Sequence, residues 1–168
     1  MSDVAELLDK QAICERIWQY AHAIDRQDDR LLASLCTKDA TLAYGLFNGS
    51  VKQLIEGRAG PSPIVMTHHM VSNILIRLDG DRAVAQSYLS VVHRANRDGV
   101  LRDEHVRARY LDKLKRIEGR WLFAERILVY DWSATLDADA LPWWDMHGEG
   151  AQAGSRGGDD PSAALDIA

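Results

Sequence analysis

The chain is short of everything that staples, spans or condenses. Two cysteines, Cys14 and Cys36, in 168 residues do not make a disulfide scaffold. Both fall in stretches with helical character and read as buried free thiols. Proline, at four residues, is too scarce for a Pro-rich linker or a collagen-like chain. No apolar run approaches the ~18 residues of a membrane span, so no membrane partner is expected. Positive charge is also in deficit: 20 Lys and Arg stand against 25 Asp and Glu, a formal net charge of −5. A surface of that sign does not suit a polyanion, and nucleic acid is not an expected partner. The opening Met1-Ser2-Asp3-Val4-Ala5-Glu6 has neither the basic nor the apolar part of an export signal, which predicts a cytoplasmic protein. No His-Glu-x-x-His, Cys-x-x-Cys or phosphate-cradling Gly loop is present.

What the chain does have is 46% hydrophobic and 27% charged residues, enough for one globular domain that buries roughly 70% of its unfolded surface. Asp3 and Glu6 open a helix that carries apolar residues at Leu7, Ile13, Ile17, Tyr20 and Ile24 and runs to about Gln27. Asp28 and Asp29 cap a short second helix through Leu31, Leu32 and Leu35, closed by Thr37-Lys38-Asp39. A strand over Leu42 to Phe47 then ends at the turn Asn48-Gly49, and Ser50 with Gln53 has capping-box spacing for a helix from Val51 to Glu56. From Thr67 the pattern changes to four long antiparallel strands, Met66 to Leu78, Arg82 to Ala95, Val100 to Ile117 and Trp121 to Trp132, parted by Asp-Gly, Asn-Arg-Asp-Gly and Glu-Gly turns. Helices first and long, curling strands afterwards predict an α+β fold, a cone-shaped α+β barrel in which a curved antiparallel sheet wraps against the N-terminal helices. Residues 1–147 form this domain, and the Gly-, Ala- and Ser-rich stretch 148–168 reads as a disordered tail that contributes nothing to function.

Several polar residues fall where a core is expected. Asp25, seven residues after Trp18 and four after Ala21, borders the apolar stripe of the first helix, either as a helix-end charge or as a group with a buried partner. His68 and His69 are neighbours on a strand, so only one of them faces the hollow. That alternation argues against an iron-type triad of both histidines with Asp25, and no metal is expected. An inward histidine is either a hydrogen-bonded core residue or a base. Strict alternation puts Arg126 on one face with Leu122, Ala124 and Leu128, where its guanidinium needs a carboxylate or a ligand anion. Tyr44 alternates with Leu42 and Leu46 and carries its hydroxyl inward or to the rim. His93, Tyr110 and Asp112 are weaker candidates that read first as exposed sheet residues. The tryptophans Trp132, Trp143 and Trp144 either pack on the sheet or cover the mouth, with Leu141 to Trp144 as a lid or a subunit contact.

Ile17-Trp18-Gln19-Tyr20-Ala21-His22-Ala23-Ile24-Asp25, then Leu31 to Leu35 and Asp39-Ala40, resembles the SnoaL-like branch of the nuclear transport factor 2-like superfamily. His69-Met70-Val71-Ser72-Asn73 and the closing Gly119-Arg120-Trp121 with Arg126 add to the likeness, which runs from about Ala5 to Trp132. The pattern is similar to the branches of scytalone dehydratase, bile acid 7α-dehydratase and hexachlorocyclohexane dehydrochlorinase, eliminating lyases with a His-Asp pair in the cone. The resemblance implies Asp25 and His69 as that pair, Tyr44 as the residue that binds the carbonyl or leaving group, and Arg126 as a further catalytic residue. Tyr20 matches the helix tyrosine of the bile acid enzyme. Trp18, Asn73 and Tyr88 join it as candidate substrate contacts, with Tyr110, Trp143 and His93, although alternation turns His93 outward.

These residue types suit proton abstraction next to a carbonyl or aromatic activator. Imidazole is the natural base near neutrality, a carboxylate on its other nitrogen fixes the tautomer, and a tyrosine hydroxyl binds the developing oxyanion. The expected activity is a cofactor-independent lyase that removes water or a similar small leaving group from a hydrophobic aromatic or polycyclic alcohol, as in aromatic compound catabolism. The alternatives are release of formaldehyde from a lignin-derived diol, a ketosteroid-isomerase-like isomerisation, or a non-catalytic role like that of a ring-hydroxylating dioxygenase small subunit or a ligand-binding module. The expected partners are a small hydrophobic substrate and further copies of the chain, as a trimer or dimer.

Overall fold

A computed structural model describes residues 3–138 and 152–165. Helix α1 (Asp3–Arg26) carries Ile13, Ile17, Tyr20, Ala21, Ala23 and Asp25 on its buried side. It stops because Gln27 turns left-handed at φ 53°, and Asp28 N–H then reaches back to the carbonyl of Ala23 at 3.0 Å. This closure satisfies a helix-end acceptor and starts the next element at once. Asp28 Oδ1 accepts the Leu31 N–H at 2.8 Å and caps α2 (Asp29–Ser34).

The chain then enters β1 (Cys36–Ala43) earlier than expected, so Thr37-Lys38-Asp39 belong to a strand and not to a helix end. Its turn is also displaced. Gly45 takes φ 75° and Tyr44 N–H bonds to the carbonyl of Phe47 at 2.8 Å, after which β2 (Asn48–Ser50) pairs back on β1. Leu46 therefore sits fully exposed at the hairpin tip instead of alternating inward with Tyr44. Helix α3 (Val51–Arg58) starts on the expected capping box, with Ser50 N–H on Gln53 Oε1 at 2.8 Å and Gln53 N–H on Ser50 Oγ at 3.2 Å.

Strands β3 (Ile64–Asp79), β4 (Arg82–Arg97), β5 (Val100–Ile117) and β6 (Arg120–Asp137) form the expected antiparallel meander. With β1 and β2 they make a six-stranded curved sheet in the order β2-β1-β6-β5-β4-β3, which is not closed into a barrel. The contact of β1 with β6 is parallel, a pairing that consecutive turn signals do not announce. The main core joins Ile13, Ile17, Tyr20, Leu32, Leu35 and Leu42 to Leu114, Trp121 and Phe123 of the sheet. At roughly 1.5–3 kcal/mol for each large side chain, it is the chief reason the helices stay on the sheet.

Several bulges interrupt the pairing, and two of them decide which residues face the helices. In β3 the pairing slips between Ser72 and Leu75, with Asn73 left-handed at φ 47°. Thr67, His69 and Val71 face inward before the slip, and Ile74, Ile76 and Leu78 after it. In β6 the slip falls between Phe123 and Glu125, the partners of Leu114 and Lys113. The face of Arg126 is thus that of Trp121 and Phe123, and not that of Leu122 and Ala124 as strict alternation predicts.

Residues 152–165 are also placed, where composition alone predicts disorder. Arg26 Nη1 donates to Ser155 O at 2.7 Å and to Asp160 Oδ2 at 2.8 Å, and Gly157 N–H donates to Arg26 O at 2.7 Å. A short 3₁₀ turn, Pro161–Leu165, follows. Polar caps on the end of α1, not a hydrophobic face, hold this segment. Among the described residues, no helix is long and apolar enough to cross a membrane.

Candidate active site

The end of α1 and the start of β3 meet at one carboxylate. Asp25, 7% exposed, takes three hydrogen bonds. Thr67 Oγ1 donates to Oδ1 at 2.7 Å, the His69 N–H donates to Oδ2 at 2.8 Å, and His69 Nδ1 lies 2.6 Å from Oδ1. Thr67 and His69 are two residues apart on the inner face of β3, and His68 between them is exposed on the other face. Burial opposes the charge of Asp25, but the His69 ring, its backbone N–H and the Thr67 hydroxyl outweigh it and hold the carboxyl below the usual carboxylate range. An ionised Asp25 on Nδ1 places the ring proton there and leaves Nε2 as the basic nitrogen. Nε2 has no hydrogen-bond partner among the described residues.

His93 joins this group, against the expectation that it faces outward. It shares parity with the buried Leu89, Val91 and Ala95, and its ring centroid is 6.0 Å from that of His69. Burial, with the charges of His69 and Arg156, lowers its pKa and keeps the ring neutral near pH 7. A second apolar cluster, Leu89, Val91, Ala108 and Tyr110, continues the inner wall, with Tyr44, Val71, Val106 and Leu128 partly buried against it. On the other side of the pair, Trp18, Ala21, His22, Arg26, His68 and Val71 line a cleft of about 320 Å³ that reaches Asp25 and His69. Trp18, 47% exposed, forms its rim.

The closed end of the cone is built differently. Arg126, 0% exposed, meets Asp112, 3% exposed, through two parallel bonds, Nε to Oδ1 at 2.7 Å and Nη2 to Oδ2 at 2.8 Å. Its guanidinium carbon lies 4.0 Å from the ring centres of Tyr20 and Tyr110 and 4.2 Å from that of Phe123. Burial works against the guanidinium charge, and the facing carboxylate more than restores it, so its pKa is raised. Asp112 and Tyr110 are therefore core residues, not exposed sheet residues as first read. The Tyr20 hydroxyl bonds that of Tyr44. Burial pushes Tyr20 up to about 12 and Tyr44 well above its ordinary value, which keeps both hydroxyls protonated.

Two expected substrate contacts lie elsewhere. Tyr88 is exposed on the outer face, and Asn73 is exposed at the β3 bulge, where it serves the backbone with its left-handed conformation. Trp143 and the segment Leu141 to Trp144 lie outside the described residues. Thr67 escaped the sequence reading, although its two-residue spacing from His69 on a strand was the available signal. Among the described residues, no three His, Cys, Asp or Glu side chains are grouped so as to hold a metal ion.

A helix-backed, curved six-stranded sheet with a His-Asp pair between its first helix and β3 defines a mixed α+β protein. The profile of the SnoaL-like domain matches residues 5–127, and the chain belongs to that family. Among solved structures it is similar to a protein described as scytalone-dehydratase-like from Novosphingobium aromaticivorans DSM 12444, with 24% identity, 84% of this chain and 94% of that chain covered, and a TM-score of 0.70. It is also similar to the type 3 hexachlorocyclohexane dehydrochlorinase of Novosphingobium barchaimii LL02, with 16% identity, 84% and 99% coverage and a TM-score of 0.74. No curated protein matches it by sequence.

Proposed function

We propose that the protein is a lyase that eliminates water or a comparable small leaving group from a hydrophobic aromatic or polycyclic alcohol, with His69 as the base. The observation that carries this reading is the 2.6 Å contact of Asp25 with Nδ1, which leaves Nε2 of His69 without a hydrogen-bond partner among the described residues, on a ring that lines the cleft of Trp18, His22 and Val71. Nε2 takes the proton from the carbon next to the activating group, and Asp25 stabilises the imidazolium that forms. The electron pair of the broken C–H bond forms the new double bond as the C–O bond breaks. The departing oxygen leaves as water once it receives a proton, from the imidazolium or from Tyr44. Tyr44 suits this task because its raised pKa keeps it a donor and Tyr20 orients it. Neutral His93 supplies a second polar contact. Arg126 acts at a distance by fixing the tyrosine layer.

Dehydratase and dehydrochlorinase relatives of the same fold support the reaction class. The test is an ultraviolet screen of the purified protein against benzylic and β-hydroxycarbonyl alcohols, repeated with His69→Ala. A conjugated product formed by the wild type and not by the variant is the expected result. Formaldehyde release or double-bond migration, each dependent on His69, would keep the base and change the reaction. Turnover that survives His69→Ala would end the proposal.

A further inference from the structure

The C-terminal segment carries a cation to the open end of the cone. Arg156 Nη1 donates to the carbonyl of Ile64 at 3.4 Å. Ile64 opens β3 opposite Ala95, which is two residues from His93 on the same inner face. Arg58, at the end of α3, is bound to Asp29 through Nη2, yet its Nε and Nη1 are buried without a hydrogen-bond partner, as is Nε of Arg156. Buried N–H groups of this kind are costly unless an acceptor meets them. Arg26 is paired with Asp160 and Arg58 with Asp29, whereas Arg156 has no carboxylate within ion-pair distance among the described residues. The guanidiniums are near enough to act on one another: burial, then the charge of Arg58, lowers the pKa of Arg156, and Asp25 opposes the shift. Among the described residues, the region beside the pair thus holds one guanidinium without an ion-pair partner and several buried donors without an acceptor.

We propose that the substrate of this site carries a carboxylate, bound at the mouth by Arg156 and Arg58 while its activated carbon lies at His69, so that the C-terminal segment completes the site. One guanidinium without an ion-pair partner fits a monoanion better than a phosphate dianion, and its fork fits the two oxygens of a carboxylate. This inference rests on His69 as the base and reverses the expectation that residues after Gly148 contribute nothing.

The test measures binding of 2-naphthoate, its neutral isostere 2-naphthamide and the dianion 2-naphthyl phosphate to the full chain by calorimetry. The wild type should bind the carboxylate at least ~10-fold more tightly than the amide. Arg156→Gln should remove that preference. Asp160→Ala, which releases the segment from Arg26, should remove it as well. Equal binding of acid and amide by the wild type, or a preference that survives either variant, would overturn the proposal. Tighter binding of the phosphate than of the carboxylate would overturn the choice of a monoanion. Failure here leaves the lyase reading intact if neutral alcohols are still turned over in a His69-dependent way. Conversely, a carboxylate preference without His69-dependent turnover would remove the lyase and keep the anion site.

Discussion

Two buried carboxylates face nitrogen bases in this cone, and they are put to opposite uses. Asp112 gives both oxygens to Arg126, and three aromatic rings cover the guanidinium, whose Nη1 is the one donor left without a partner. Asp25 receives three donors but occupies only one nitrogen of His69. One pair is consumed by packing. The other keeps a lone pair for chemistry, on a ring that lines the cleft of Trp18 and Val71. Burial and charge together do not mark a base; a nitrogen lone pair left free does.

The largest effect should come from splitting the closed-end pair. Arg126→Met leaves Asp112 ionisable and unpartnered in the core and should cost about 3–5 kcal/mol in urea denaturation, whereas Arg126→Met with Asp112→Leu should recover most of that loss. If Arg126→Met unfolds no more easily than the wild type, the packing account of this pair is wrong.

Next in size is the open-end pair. His69→Ala and Asp25→Asn should each lower kcat/KM by at least ~10²-fold with the fold retained by circular dichroism. A third experiment follows the sign of the Asp25 shift. Its folded pKa is depressed, so the stability it contributes is present above the unfolded value near ~3.9 and is lost as pH falls through the lower folded value. The stability gap between the wild type and Asp25→Asn should therefore narrow as pH falls below about 4, and a gap that widens there would contradict the assignment. Thr67→Val, which deletes one bond to the carboxylate, should cost only about 1 kcal/mol and lower activity less than Asp25→Asn does. The smallest effect belongs to Asn73→Gly, which keeps the left-handed bulge and should leave KM unchanged; a raised KM would return Asn73 to the substrate.

The helices and the meander were legible because each rests on local signals, caps and Asp-Gly and Glu-Gly turns, whereas the pair of Asp25 with His69 came from the family resemblance, since position on a helix stripe or strand face left both residues open to a structural role. Three kinds of feature were not. Parity failed past the bulges, since one inserted residue in β6 exchanges the faces and moved Arg126 from beside Leu122 and Ala124 to beside Phe123. His93 and Asp112 failed differently. Both share parity with buried neighbours, Val91 and Ala95 for His93 and Tyr110 and Leu114 for Asp112, a signal that their polarity outweighed in the sequence reading. The segment 152–165 was missed because polar caps on Arg26 leave no periodic trace in composition.

The central claim is that Nε2 of His69 removes a proton from carbon. It is tested most directly with a substrate analogue that keeps the activating carbonyl but lacks the leaving group, followed by proton NMR in D₂O. The wild type should exchange the activated C–H for deuterium at a rate at least ~10²-fold above that of His69→Ala, with Asp25→Asn also strongly slowed. Exchange by His69→Ala at the wild-type rate, in a protein whose fold and analogue binding are unchanged, would contradict it.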